Sequence, residues 1–267
     1  MSLPAPYMHW AKTRPAARFD LAISNVLGCT IADLPGAADA LALDGRNDNG
    51  YAPLLEAIAR HQGVTVDRVT TAQGASGANF LVYAALVSAG DHVLVERPGY
   101  DPLMGAARLL GAEVTQFDRR FEDGYAIDPD RVAHAITPRT RVVVITSPHN
   151  PTGAVADVDA LRRVGEIAAA RGAYVVVDEV YMDTAGGSLP SASVLGDTFI
   201  VTSSLTKSYG LAGLRCGWII SSPAVAERLR RARDVVDGTG SIVAERLGVV
   251  AFEHLDALLT RTRALLA

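Results

Sequence analysis

The 267-residue sequence predicts a three-layer α/β/α domain on a mostly parallel seven-stranded sheet, and three observations carry that expectation. Seven short β-branched runs recur from residue 68 onward, and longer stretches with helical spacing separate most of them. The central runs, Val142-Val143-Val144-Ile145 and Val175-Val176-Val177, are apolar on both faces, as strands covered by helices on both sides must be. Alternation of such strands with helices implies right-handed crossovers and a parallel sheet.

Each element has its own warrant. The strand runs are 68–72, 92–96, 113–117, 141–146, 173–178, 199–203 and 216–221. Gly74-Ala75-Ser76 opens a helix directly after the first run. Asp101-Pro102 sets a capping residue before a proline at the first helical position, and that helix stops before Gly111. Val158, Leu161, Val164, Ile167 and Ala168 recur at helical spacing, with Asp157 as N-cap and Gly172 as stop. Residues 183–193, small and polar, read as a surface loop. From 223 onward the texture is helical, with a break expected at 237–241.

Composition removes several functional classes. Lys and Arg number 25 against 29 Asp and Glu, so the basic footprint of a nucleic-acid binder is missing. The apolar runs are too short to span a bilayer, and Lys12, Arg14 and Arg18 are not followed by the continuous apolar stretch of a signal peptide. Cys29 and Cys216 are too few and too far apart for a disulfide framework. They read as small apolar residues of a cytoplasmic protein. The six histidines never stand three or four apart, so no metal site is expected.

Parallel sheets place their chemistry beyond the carboxyl ends of their strands. There the run 141–146 leads into Ser147-Pro148-His149-Asn150-Pro151-Thr152-Gly153, and 174–177 ends in Asp178-Glu179-Val180-Tyr181. Run 199–203 leads to Ser204-Leu205-Thr206-Lys207-Ser208-Tyr209-Gly210, followed by Leu214-Arg215-Cys216-Gly217-Trp218. With Gly50-Tyr51-Ala52-Pro53-Leu54 upstream, this order and spacing resembles the fold-type I, class I/II aminotransferases, which use pyridoxal 5′-phosphate (PLP).

The resemblance implies a role for each residue. Lys207 matches the lysine that holds PLP as a Schiff base and then acts as base. A strand-end lysine among cationic neighbours has its pKa lowered for such work. Asp178 matches the acid facing the pyridine nitrogen; ending an apolar strand, its carboxylate would be costly without a cation. Asn150 and Tyr181 match the partners of the cofactor's phenolic oxygen, and Tyr100 the aromatic stacked on its ring. Lys207, Asp178 and Tyr181 form the expected catalytic set. Ala75 and Ser76 at a helix start, with Ser204 and Arg215, match the phosphate ligands. Asn150 also falls on a substrate-binding position, and residues 24–28 resemble a strip that closes over substrate, nominating Gly28.

Two departures stand out. The tyrosine that reaches the neighbouring subunit's phosphate in many members has no match near Gly45, so that contact is either absent or replaced by Arg46 or Asn47. No residue matches the arginine that clamps the substrate's α-carboxylate, which the family carries in a second domain. The expected organisation is therefore an N-terminal segment (1–45), a PLP-binding large domain (46–235) and a truncated start of the interdomain helix and small domain (236–267), with apolar surface exposed where the remainder would pack. The expected function is transfer of an amino group between an α-amino acid and a 2-oxo acid, by a homodimer that contacts neither nucleic acid nor membrane. β-Lyase, decarboxylase or racemase chemistry and a non-catalytic PLP-binding sensor are the alternatives. A serine hydrolase elbow at Gly74-Ala75-Ser76-Gly77 fails for want of one residue.

Overall fold

The structure is a computed structural model that describes residues 5–20, 22–185 and 189–267. Seven strands form one sheet: β1 (Val69–Gln73), β2 (His92–Arg97), β3 (Glu113–Asp118), β4 (Thr140–Thr146), β5 (Tyr174–Asp178), β6 (Phe199–Ser204) and β7 (Cys216–Ile220). Their spatial order is β1-β7-β6-β5-β4-β2-β3, with β7 antiparallel to both neighbours and the remaining pairs parallel. The mostly parallel seven-stranded sheet read from the sequence is therefore present, with strand limits within two residues of those expected.

Nine helices are described: α1 (Pro6–Thr13), α2 (Ala52–Gln62), α3 (Gly74–Leu86), α4 (Asp101–Leu109), α5 (Pro129–Ala135), α6 (Val158–Ala169), α7 (Pro223–Val236), α8 (Ile242–Glu253) and α9 (Leu255–Leu266). Asp157 caps α6 through its side chain, which accepts from the Asp159 and Ala160 amides. The period-two geometry of the strands sends alternate residues to opposite layers. Val142, Val144, Val176 and Ile200 pack under α3, α4 and α7, whereas Val143, Ile145, Val175 and Val201 pack under α2, α5, α6 and α8. Each such buried side chain contributes roughly 1.5–3 kcal/mol, so both layers press the sheet into one register. That register aligns Thr146 with Asp178 and Asp178 with Thr202 at the carboxyl ends of β4, β5 and β6.

Two expectations need correction. Residues 183–193 are not simply a surface loop: Met182–Thr184 and Ala192–Leu195 are 3-10 turns, and Ala192 and Ser193 are buried. The cause is the buried Glu179, whose Oε1 accepts from the Ala192 amide at 2.7 Å; residues 186–188 of that stretch lie outside the described residues. The helical tail has the expected break between α7 and α8, and a second at His254, whose backbone leaves the helical region (φ −121°) while its ring donates to the Pro35 carbonyl. Cys216 is buried and Cys29 half-buried, both as free thiols. Among the described residues no helix is long and apolar enough to cross a membrane.

Candidate active site

Beyond the ends of β4, β5 and β6 lies a cavity of about 390 Å³, and every expected site residue except Gly28 lines it. Lys207 sits in the turn after β6, half-buried, where its Nζ donates to Ser24 Oγ (2.8 Å) and Asn25 Oδ1 (2.7 Å). Burial, and after it the charge of Arg215, holds this amine below the usual lysine range, against an opposing pull from Asp178. Asp178 ends β5 and is buried, which pushes its carboxyl above the usual range. Two donors resist that shift: Asn79 Nδ2 to Oδ2 (2.7 Å) and the Val180 amide to Oδ1 (3.1 Å).

The start of α3 and the turn before β7 form one unit. Gly74 has φ +70°, and a Cβ there would stand 2.4 Å from Arg215 Nη2, so only glycine lets the guanidinium lie against this helix start. Gly217 on β7 is as tightly placed, with a built Cβ at 2.6 Å from the Gly74 backbone. Arg215, itself left-handed at φ 55°, donates from Nη2 to the Gln73 carbonyl (3.2 Å). A cation, the opening amides of a 13-residue helix and the hydroxyls of Ser76 and Ser204 thus border one part of the cavity, a setting suited to an anion.

Tyr100 and Tyr181 line the same space, both phenols raised chiefly by burial. The Tyr100 hydroxyl donates to Met8 Sδ (3.3 Å), tying α1 over the cavity. Asn150 is held by its backbone, which donates to Thr146 Oγ1 (2.9 Å); that hydroxyl and the Thr146 amide both donate to Glu96 Oε1. Glu96 is ion-paired with Arg119 (2.8 Å), both side chains fully buried. His149 joins two loops: its Nε2 donates to the Pro98 carbonyl (2.9 Å) and its Nδ1 accepts from the Thr152 hydroxyl (2.7 Å). Burial and the Arg119 charge keep this ring neutral, its pKa lowered to about 4.

Gly28 is not brought to the cavity. Its carbonyl accepts from Arg261 Nη2 (3.0 Å), and its strip-mates Ser24 and Asn25 reach Lys207 instead. Nor does Asn47 face outward as a substitute for the missing tyrosine. It is buried, donating to Gly240 O and Glu245 Oε2, whereas Arg46 is exposed beside Asp48. Sequence reasoning missed Asn79, Thr202 and Arg14, and within the strip 24–28 it nominated Gly28 where Ser24 and Asn25 are the residues that reach the cavity. For Asn79 a signal exists: it is a lone amide within the apolar run Ala78, Phe80, Leu81, Val82, and a buried amide needs partners. Among the described residues no cluster of three or more His, Cys, Asp or Glu side chains is placed to hold a metal ion.

Comparison with known proteins agrees with this fold. The chain is 38% identical over 194 residues to capreomycidine synthase of Streptomyces vinaceus, covering 72% of this chain and 50% of that protein. It is 34% identical over 230 residues to a probable N-succinyldiaminopimelate aminotransferase of Mycobacterium tuberculosis, covering 80% and 57%. It thus spans about half the length of these curated relatives. Among solved structures, a PLP-dependent aminotransferase from Streptococcus suis superposes with a TM-score of 0.88 at 29% identity, over 98% of this chain and 74% of that one. Aspartate aminotransferase from Thermus thermophilus with maleate gives 0.80 at 27% identity, over 86% and 64%. Residues 20–250 match the family described as aminotransferase class I and II, and it is to this family that the chain belongs.

Proposed function

We propose that the cavity holds PLP and that the protein transfers an amino group between an α-amino acid and a 2-oxo acid. One observation carries the reading: a single cavity contains an amine held below its usual pKa, Lys207, and a buried carboxyl without an ion-pair partner among the described residues, Asp178. The group fits what is present. Asp178 requires a cation, which a pyridinium nitrogen supplies. The α3 start with Arg215, Ser76 and Ser204 suits a phosphate, and Ala75 contributes to the same wall. Tyr100 offers a flat apolar face, and Asn150 and Tyr181 offer polar groups for the phenolic oxygen.

When bound, PLP supplies an electron sink that makes the Cα–H of a bound amino acid acidic. The chain's part is then positioning and proton control. Lys207 would hold the cofactor through Nζ and, once released, take the Cα proton at that nitrogen, which burial and Arg215 favour in its neutral form. Asp178 would keep a proton on the ring nitrogen. Asn150 would orient both cofactor and substrate, and α1 would shield the reaction from water.

The test is spectroscopic. Added PLP should give a visible band that survives gel filtration and is lost in Lys207→Ala; borohydride should bleach that band and leave the cofactor fixed to the chain. No band in the unsubstituted protein would end this reading. A panel of amino acids should convert the bound cofactor to its amino form. A second reading, other chemistry on the same cofactor, draws on the likeness to capreomycidine synthase; turnover of an amino acid without that conversion would favour it. We also propose a homodimer in a reducing cytoplasm. The exposed Leu41, Leu43 and Arg46 lie on a segment that Asn47 and Asn49 tie to the end of α7, where Val235 and Val236 are also exposed. Sedimentation at micromolar concentration should show a two-chain species.

A further inference from the structure

We propose that Arg14, at the end of α1, is a residue that binds the substrate's carboxylate; the assignment rests on the PLP reading of the cavity. Three arginine or lysine side chains line that cavity: Lys207, Arg215 and Arg14. The first two have cofactor roles in that reading. Arg14 is left over, and it comes from the helix that covers the cavity. The side chain is 16% exposed, and its guanidinium pairs through Nη2 with Asp20 and lies over the Trp10 ring at 5.3 Å.

Its bonding is incomplete. Asp20 meets it through Oδ2 alone, while its Oδ1 accepts from the Ala22 amide (3.0 Å). Arg14 Nε is buried and has no hydrogen-bond partner among the described residues. A planar guanidinium takes a carboxylate through two parallel N–H groups, and leaving one buried and unmet is costly. A substrate carboxylate supplies the missing acceptor, either joining or displacing Asp20. The ligand chemistry is therefore an amino acid's carboxylate, at Cα or at the end of its side chain.

The PLP-loaded chain would be titrated with 2-methylalanine, which has one carboxylate, and 2-methylaspartate, which has two. Neither carries a Cα–H, so neither can be transaminated. The readout is Trp10 emission, since Trp218 is fully buried and Trp10 stacks on the group in question. Arg14→Gln should weaken binding at least tenfold. Weakening of both ligands assigns Arg14 to the α-carboxylate; weakening of 2-methylaspartate alone assigns it to the side-chain carboxylate. Affinities within twofold of the unsubstituted protein for both ligands, with the visible band intact, would overturn the assignment. If Arg14→Gln does not fold, Asp20→Asn decides. Removing the competing anion should tighten binding threefold or more, and unchanged affinity would overturn the proposal. Loss of the visible band in the unsubstituted protein would instead strike the PLP reading itself.

Discussion

The sharpest prediction concerns Asn79→Leu, a change of similar volume that removes one donor and one acceptor from a closed network. Asn79 Nδ2 donates to Asp178 Oδ2 at 2.7 Å, and its Oδ1 accepts from Thr202 Oγ1 at 2.7 Å. A hydrogen bond to a charged group contributes about 1.5–3 kcal/mol. Its loss leaves the Val180 amide as the remaining hydrogen-bond donor to that carboxylate, and shifts the balance toward the neutral acid by roughly ten- to a hundredfold. Burial already pushes Asp178 the same way. The pyridinium partner is thereby weakened, most at the acidic end, because the carboxylate is now lost at a higher pH than before. The orphaned Thr202 hydroxyl adds about 1–3 kcal/mol of destabilisation by itself.

The two effects separate experimentally. PLP affinity, read from the visible band between pH 5.5 and 8.5, should fall tenfold or more in Asn79→Leu, and more steeply toward low pH. Urea unfolding should show lower stability. In Asn79→Leu/Thr202→Val the hydroxyl is gone, so stability should partly recover while PLP affinity does not. An Asn79→Leu protein that binds PLP within twofold of the unsubstituted chain, with a parallel pH dependence, would refute the claim that Asn79 sets the charge of Asp178.

Other substitutions probe other parts of the site. Gly74→Ala forces a side chain into positive φ and against Arg215, so stability to urea should drop by about 1–3 kcal/mol and affinity for PLP tenfold. Arg215→Gln removes a positive charge that lowers Lys207, so the neutral amine should appear only at higher pH. Borohydride trapping of pyridoxal, which lacks the phosphate and so ignores the lost phosphate contact, should show its onset moved upward; an unmoved onset counts against that coupling. Glu179 is raised by burial to about 7, so the folded chain keeps a proton there that the unfolded chain releases near 4.5. Its contribution is present below 4.5 and lost as pH rises through about 7. Stability should therefore fall from pH 5 to pH 8, and Glu179→Gln should flatten that part of the profile.

The groups expected to do the chemistry were legible because each lies within a few residues of a strand end that its own apolar run announces. Asp178 closes Val175-Val176-Val177, and Lys207 follows 199–203 by one turn. Their spacing along the chain is local, and the parallel sheet converts it into proximity. What governs those groups is not local. Asn79 is 99 residues from Asp178, and Ser24 is 183 residues from Lys207. Arg14 bears on the same cavity from a helix that carried no recognisable motif. Asn47 misled for the same reason in reverse. It was named with Arg46 for a contact with a neighbouring subunit, whereas the buried Glu245 on α8 draws its amide inward.

A more exacting use of physical rules narrows that gap. A strand ending in a carboxylate between apolar neighbours must find donors, and a helix interior carrying an amide must find acceptors. Asn79 lies four residues beyond Ala75, so it falls on the face of α3 that also presents the helix start to the strand ends. Pairing the two unmet requirements would have placed Asn79 against Asp178 or against the end of β6, and both contacts occur. The same rule explains why the pairing leaves work for a cofactor. Amide donors favour the charged form of a carboxylate but do not cancel its charge. A buried strand end held only by donors of this kind therefore remains a site for a cation from outside the chain.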